Sequence, residues 1–175
     1  MVERIRNTLG DVVYGVDIGN LQAAVVALLR EKKLTVALAE SCTGGKVSAS
    51  ITDIPGASDV FGCGVCAYSN DIKQKLLNVS AETLAAHGAV SAETAREMAA
   101  GVRALSGADI GISITGIAGP GGGSAEKPVG LVWFGVDCAA FQETSKQLLS
   151  RGHKEERGMI RSMATLYALD LIRRA

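Results

Sequence analysis

The chain has 175 residues, enough for one domain with a sizeable core, and its 47% apolar and 21% charged residues are typical of a globular protein. Because 18 Lys and Arg residues balance 18 Asp and Glu residues, the net charge is zero, which excludes a broad basic surface for nucleic acid or an anionic membrane. Charges interrupt every apolar run and the N-terminus lacks a signal-peptide core, so we expect no transmembrane helix and a cytoplasmic location.

Apolar strands alternate with helical patterns early in the sequence, and strands follow one another later. An N-terminal arm with a short extended piece (residues 1–19) precedes the domain (residues 20–175). Helices are predicted to begin near Leu21, Gly45, Asp71 (with Asn70 as N-cap), Ser80, Ser91 and Glu155. Strands are predicted over residues 34–39, 61–68, 110–115, 129–136 and 144–149. This order predicts an α/β fold, a three-layer α/β/α sandwich with a mixed, mainly parallel sheet.

Ser41 ends the first predicted strand and precedes a tight turn, Cys42-Thr43-Gly44-Gly45. A serine displayed at a strand-to-helix turn can be a nucleophile, and the backbone N–H groups of the turn, around Thr43 to Gly45, can stabilise an oxyanion. The flanking glycines of the lipase-type G-x-S-x-G motif are missing. The alternative is that Ser41 only caps the following helix, because serine is strongly preferred at that position.

Lys73 is the candidate base, since neither His87 nor His153 is placed by sequence to serve Ser41. A free lysine titrates near ~10.4, so burial or a neighbouring cation would have to lower its pKa. Tyr68, at the end of the second predicted strand, could relay a proton or orient the amine. A solvated surface lysine is the alternative interpretation.

A glycine-rich loop over residues 116–128 follows the third predicted strand. Such a loop can bring backbone close to a ligand, although a flexible hairpin connection is the alternative. The G-x-G within it lacks the remaining features of a dinucleotide motif, and residues 44–46 fail the Walker A pattern because Val47 follows the lysine. Ligands of open α/β sheets bind at the carboxyl ends of strands, so this loop could converge with the turns after the first two strands.

Of the four cysteines, Cys63 and Cys66 have the CxxC spacing of a redox motif or half a zinc site. The pair lies within an apolar strand and not at a helix start, where a thiolate would be stabilised. No second CxxC or histidine pair accompanies it. We therefore expect thiols that behave as hydrophobic residues in a reducing compartment, and neither a metal nor an organic cofactor.

Four blocks in chain order resemble the CinA C-terminal domain family: AESCTGG at residues 39–45, AYSNDIK at 67–73, HGAVS at 87–91, and TGIAGPGGGS with KPVG at 115–130. The resemblance runs from about Leu21 to the C-terminus. Members of the family are nicotinamide-nucleotide amidohydrolases, also called nicotinamide mononucleotide deamidases. The arm resembles the segment that joins this domain to a larger N-terminal domain in two-domain members, which implies a stand-alone member or an excised fragment.

The resemblance implies a serine amidohydrolase with Ser41 as nucleophile, Lys73 as base and Tyr68 assisting. The predicted substrate-binding residues are Thr43, Gly44, Gly45, Thr115, Gly116, Gly119, Gly121, Gly122 and Arg157. Many members carry Gly-Asp-Arg before the last helix, whereas residues 155–157 here are Glu-Glu-Arg after an apparent insertion. Arg157 is expected to keep the role of the family's arginine.

The expected partner is a small-molecule nucleotide, without nucleic acid or membrane, and a homo-oligomer, by analogy a dimer. One rival function is a non-catalytic nucleotide-sensing or protein-interaction module linked to competence or DNA repair, as the family's name suggests. Another is a different amidohydrolase with the same pair of residues. The neutral net charge argues against direct DNA binding.

Overall fold

A computed structural model describes residues 2–153 and 156–175. The helices are α1 (Val2–Leu9), α2 (Leu21–Lys32), α3 (Lys46–Thr52), α4 (Asn70–Leu77), α5 (Ala81–His87), α6 (Ala92–Ser106) and α7 (Arg157–Arg174). The strands are β1 (Val36–Glu40), β2 (Phe61–Cys66), β3 (Ile110–Gly116), β4 (Leu131–Cys138) and β5 (Gln142–Leu148). The arm differs from the prediction, because it forms α1 and a 3₁₀ turn, Gly10–Val12, instead of an extended piece. An acidic residue in the first turn, Glu3, favours that helix.

The five strands form one mixed sheet in the order β2-β1-β3-β4-β5. The first three strands of this order run parallel, and β4 and β5 are antiparallel additions at one side. A connection through a helix is needed between parallel strands, whereas a short turn suffices between antiparallel ones. The predicted α/β fold with a mixed sheet is therefore confirmed.

Both faces of the sheet are covered, because the side chains of β1 alternate between two cores. Val36 and Leu38 pack into the core that α2, α3 and α7 cover. Ala37 and Ala39 pack on the other side, against Met98 of α6 and its neighbours. Two-residue periodicity in a strand with both faces buried produces this division.

Small residues of the sheet let α6 lie directly on its backbone. A Cβ atom on Gly111 or Gly135 would collide with the carbonyl oxygen of Ala99 or Ala95 in α6. The hydroxyl of Ser113 in β3 donates a hydrogen bond to the Ala95 carbonyl, at 2.5 Å. The helix is thereby held close to β3, whose end carries the glycine-rich loop.

Helix α4, which carries Lys73, begins one residue earlier than expected from the sequence. Ser69 is the N-cap, and its hydroxyl accepts a hydrogen bond from the N–H of Ile72 at 3.3 Å. The prediction of Asn70 as the cap is wrong, because Ser69 has the extended backbone of a cap and Asn70 is already helical. The predicted start of α7 at Glu155 lies outside the described residues.

The carboxyl ends of β1, β2 and β3 meet at one edge of the sheet because the strands are parallel. The N–H of Ser41 continues the ladder to β3 by donating to the Ile114 carbonyl at 2.9 Å. The turns after these strands are thus neighbours. Across the described ranges, every helix is too short or too polar to cross a membrane.

Candidate active site

Ser41 lies immediately after β1, in a turn of unusual backbone geometry. Gly44 and Gly45 adopt left-handed conformations, with φ of 59° and 89°. Such conformations favour glycine, which explains the glycine pair. Gly45, not Ser41, occupies the N-cap position of α3. The interpretation of Ser41 as a simple helix cap is therefore wrong, and its half-buried hydroxyl is available for chemistry.

Lys73 reaches Ser41 from α4. Its Nζ atom lies 3.4 Å from the Oγ atom of Ser41 and donates a hydrogen bond to the Ala67 carbonyl at 2.8 Å. The side chain is 1% exposed, so the interpretation as a solvated surface lysine is wrong. Burial lowers the pKa of Lys73 from its ordinary value, because the ammonium form loses hydration. The site can therefore hold a neutral amine beside a hydroxyl.

Cys42 follows Ser41 but is a poor competitor as nucleophile. Burial raises the pKa of the Cys42 thiol to about 11. The thiolate is the reactive form, and it is scarce at neutral pH when the pKa is this high. Ser41 is consequently the side chain of this turn with a base beside it.

The N–H groups of the turn differ in the acceptors that they meet. Gly44 donates to the Ser41 carbonyl at 3.1 Å, and Gly45 donates to the carboxylate of Glu40 at 3.0 Å. Within the described ranges, the N–H groups of Cys42 and Thr43 donate to no backbone carbonyl, but both contact the Cys42 sulfur and oppose the rise in the pKa of its thiol. The hydroxyl of Thr43 is also buried without a hydrogen-bond partner in that part of the chain. Of the donors predicted for an oxyanion, the Thr43 N–H is thus the one without a backbone or carboxylate acceptor, while those of Gly44 and Gly45 are engaged.

Arg161 lies on α7, which covers the face of the sheet opposite to α4, and it donates hydrogen bonds to the turn. Its Nε donates to the Cys42 carbonyl at 3.1 Å and its Nη2 to the Thr43 carbonyl at 2.7 Å. These bonds tie the carbonyl groups of both residues to α7. Nothing in the local sequence identified this role, because 118 positions separate Arg161 from Thr43.

Tyr68 and Arg157 form a second cluster with the glycine-rich loop. Arg157 donates from Nη2 to the Tyr68 hydroxyl at 3.0 Å and from Nη1 to the Gly119 carbonyl at 2.6 Å. Tyr68 is 64% exposed, and its hydroxyl is hydrogen-bonded to Arg157 and not to Ser41 or Lys73. The structure thus brings the predicted nucleophile Ser41 and the predicted base Lys73 into contact and places Tyr68 at the surface.

The glycine-rich loop contributes shape more than side-chain chemistry. The Thr115 hydroxyl is buried and donates to the Ala89 carbonyl at 2.6 Å. A Cβ atom on Gly116 would collide with β4, and Gly119 has a left-handed φ of 74° against the Val129 side chain. Gly121 and Gly122 are exposed. These positions serve the path of the loop, and Thr115 is tied to the fold.

A cavity of about 330 Å³ lies beside Arg157 and the loop. Its lining comprises Ala118, Gly119, Pro120, Val129, Ser150, Gly152, His153, Glu156 and Arg157. The buried Glu156 carboxylate accepts hydrogen bonds from the Ser150 hydroxyl and from the N–H groups of Arg151 and His153. The acid before Arg157 therefore organises the loop that precedes α7.

The CxxC pair is not a two-cysteine site. Cys63 and Cys66 are three positions apart in β2, so their side chains point to opposite faces of the sheet. Both thiols are free, as are those of Cys42 and Cys138. No cluster of three or more His, Cys, Asp or Glu side chains that could hold a metal occurs among residues 2–153 and 156–175.

Comparison with known proteins identifies close relatives. The family model for the CinA C-terminal domain matches residues 19–175. The chain is 49% identical over 174 residues to a CinA-like protein of Desulfovibrio desulfuricans, and 49% identical over 172 residues to a putative competence-damage inducible protein of Caldanaerobacter subterraneus. The alignments cover 99% and 98% of this chain but 41% of each relative. The chain thus spans about two fifths of the length of these relatives.

Solved structures resemble the chain over nearly its whole length. A competence/damage inducible protein from Agrobacterium tumefaciens superposes with a TM-score of 0.80 at 39% identity, covering 91% of this chain and 95% of the other. A competence damage-inducible protein A from Klebsiella pneumoniae superposes with a TM-score of 0.82 at 35% identity, covering 88% and 93%.

Proposed function

The chain belongs to the CinA C-terminal domain family, and we propose that it hydrolyses the carboxamide of nicotinamide mononucleotide to nicotinic acid mononucleotide and ammonia. The observation that carries the proposal is the contact between Ser41 Oγ and the buried Nζ of Lys73, at 3.4 Å. A buried lysine with a lowered pKa beside a serine at a strand-to-helix turn is the arrangement that a Ser–Lys hydrolase needs. The resemblance of the sequence blocks to nicotinamide-nucleotide amidohydrolases supports the choice of substrate.

In the proposed mechanism, Ser41 Oγ attacks the carboxamide carbon while the neutral amine of Lys73 accepts the hydroxyl proton. The negative oxygen that forms is stabilised by the N–H groups of Cys42 and Thr43, which donate to no backbone carbonyl within the described ranges. Collapse of this intermediate breaks the C–N bond, and Lys73 returns its proton to the departing ammonia. Lys73 then deprotonates a water molecule that attacks the acyl-enzyme, and it returns this proton to Ser41 Oγ as the acyl C–O bond breaks and the acid product leaves. These reaction steps require neither a metal nor an organic cofactor.

Arg157 is the proposed contact for the 5′-phosphate, next to the cavity of about 330 Å³. Two of its N–H donors are used by Tyr68 and Gly119, which leaves further donors of the guanidinium for a phosphate. Tyr68 would line the entrance and orient the nucleotide. We also propose that the enzyme acts in the cytoplasm, in keeping with its four free thiols, and as a homo-oligomer.

The competing proposal is a non-catalytic module. Its support is that several relatives are named competence-damage inducible proteins. Such a module would bind a nucleotide or protein without turnover, and it would have no need for a buried amine at a serine. The two proposals differ in whether Ser41 forms an acyl-enzyme that is then hydrolysed.

The test is ammonia release from a panel of pyridine amides: nicotinamide mononucleotide, nicotinamide riboside, nicotinamide and NAD. We expect turnover with the mononucleotide and a far lower kcat/KM with nicotinamide. Binding of the mononucleotide without ammonia release would support the non-catalytic module instead. Preference for another amide in the panel would retain the hydrolase chemistry and reject the substrate.

A further inference from the structure

Glu40 is a charged residue at a fully buried position, directly before Ser41. It ends β1, in which every residue is buried, and its own exposed fraction is 0%. A carboxylate in the protein interior is strongly destabilising unless hydrogen-bond donors surround it. The sequence shows that an acidic residue ends an otherwise apolar strand, but it does not show which groups donate hydrogen bonds to that residue.

The Glu40 carboxylate accepts hydrogen bonds from the first turn of α3 and the residue before it. Oε2 accepts from the N–H of Gly45 at 3.0 Å and of Val47 at 3.1 Å. Oε1 accepts from the N–H of Ser48 at 2.8 Å and from its hydroxyl at 2.7 Å. The backbone donors are the ones that a helix start leaves without intrahelical acceptors.

This capping differs from that of the other helices with a side-chain cap. In α2, α4, α5 and α6 the side chain of the residue just before the helix accepts the hydrogen bond. Gly45 precedes α3 and has no side chain to do so. Glu40 supplies the bonds from the far side of the turn, so its contacts close a ring of chain, residues 40–48, that contains Ser41.

We propose that Glu40 is a positioning residue for the nucleophile, an inference that rests on the proposed hydrolase function. It holds both ends of the turn at a fixed separation and thereby sets the approach of Ser41 to Lys73. Their contact, at 3.4 Å, is already long for a hydrogen bond, so a small displacement breaks it. Glu40 also engages the N–H of Gly45, so the N–H groups of Cys42 and Thr43 remain the proposed donors to the reacting carbonyl.

The central variant is Glu40→Gln, which keeps the size of the side chain but presents an NH₂ group to backbone N–H donors. We expect kcat for nicotinamide mononucleotide to fall about 100-fold, the effect of misplacing a reacting group by roughly an ångström. KM should change less than about threefold, because Glu40 does not contact substrate. Ser48→Ala removes one of the donors and should lower kcat by about three- to tenfold. Combined with Glu40→Gln, it should add little.

The matched control is Ser80→Ala, which removes the side-chain cap of α5, far along the chain from Ser41. It should lower Tm and leave kcat unchanged. If Glu40 had only a structural role, Glu40→Gln would likewise lower Tm and leave kcat unchanged. A folded Glu40→Gln enzyme with wild-type kcat and a lowered Tm would therefore overturn the inference.

A second readout is independent of the natural substrate. A fluorophosphonate probe phosphonylates reactive serines with loss of fluoride, and the labelling of Ser41 can be timed by mass spectrometry. We expect slower labelling in Glu40→Gln than in wild type and in Ser80→Ala. If the wild type labels at Ser41 but releases no ammonia from any amide, the proposed reaction fails and the labelling rates still decide the role of Glu40. If the wild type neither labels nor turns over, both proposals fall.

Should Glu40→Gln not fold, Ser48→Ala carries the test. Wild-type kcat and wild-type labelling in folded Ser48→Ala would then overturn the inference, whereas a selective loss of kcat would support it.

Discussion

The Nζ atom of Lys73 lies 3.4 Å from the Oγ atom of Ser41, although 32 positions separate the two residues. Parallel pairing of β1 and β2 brings this about, because both strands end at the same edge of the sheet. The chain after β2 then turns into α4, which directs Lys73 back toward Ser41, and the Ala67 carbonyl holds its amine at 2.8 Å. The contact is a product of strand pairing and not of closeness in sequence.

Ser41→Ala removes the proposed nucleophile, and we expect kcat to fall about 10³-fold or more. Because Gly45 occupies the N-cap position of α3, the free energy of unfolding should change by less than about 1 kcal/mol. Ammonia release and thermal denaturation measured on one preparation test both statements. Near-native deamidation by the folded variant would contradict covalent catalysis by Ser41.

Lys73→Arg tests whether the lysine must lose a proton. Arginine keeps its charge at neutral pH, so we expect the variant to be as inactive as Lys73→Ala. In the wild type, kcat/KM should rise with pH along an acidic limb that reports the apparent pKa of the Ser41–Lys73 pair. An active Lys73→Arg enzyme would mean that the lysine acts only through its charge.

The pH dependence of stability offers a test of the buried amine. Burial lowers the pKa of Lys73 from its ordinary value of 10.5, so the folded state binds the proton less tightly than the unfolded state does. The resulting destabilisation is complete below the lowered pKa and disappears as the pH rises from there toward 10.5. We therefore expect the wild type to gain stability relative to Lys73→Met as the pH rises toward 10.5. Denaturant unfolding of both proteins at several pH values measures this difference, and a constant difference would contradict it.

Arg157→Ala tests the proposed phosphate contact. Loss of a charge-assisted hydrogen bond should raise KM for nicotinamide mononucleotide by about 10- to 100-fold. The nucleoside lacks the phosphate, so its KM should be high in the parent enzyme and almost unchanged by the substitution. Equal penalties on both substrates would instead assign Arg157 to holding Tyr68 and the Gly119 carbonyl in place.

Two helical glycines provide a matched stability test of the close packing of α6. A Cβ atom on Gly101 would collide with the Leu77 carbonyl, whereas one on Gly158 in α7 would meet open space. Alanine favours a helix over glycine by up to about 1 kcal/mol, but overpacking costs about 1–3 kcal/mol. We expect Gly101→Ala to lower the free energy of unfolding and Gly158→Ala to leave it equal or higher. A Gly101→Ala protein more stable than the wild type would show that α6 can shift away from the Leu77 carbonyl without loss of stability.

The local sequence pattern predicts the strands, helices and turn that carry Ser41 and Lys73. Alternation between strands and helices identified the parallel strands, and the glycine turn after Ser41 marked a backbone that only glycine adopts easily. The sequence predicts the cap of α4 one residue late, at Asn70, since Ser69 and Asn70 are both good cap residues and only the backbone angles distinguish them. It also predicts a short extended piece in the N-terminal arm, where the structure has α1 and a 3₁₀ turn.

The sequence by itself determined the α/β fold and the chemical candidates at Ser41 and Lys73, because side-chain periodicity and turn residues act over short distances along the chain. Only the tertiary structure decided that Lys73 is buried, that Tyr68 is held by Arg157, and that Arg161 and Glu40 are hydrogen-bonded to the turn after Ser41. Burial and long-range hydrogen bonds depend on which elements pack together. Local periodicity specifies that an element has an inward face, but the partner that this face meets is chosen by the packing of the whole chain.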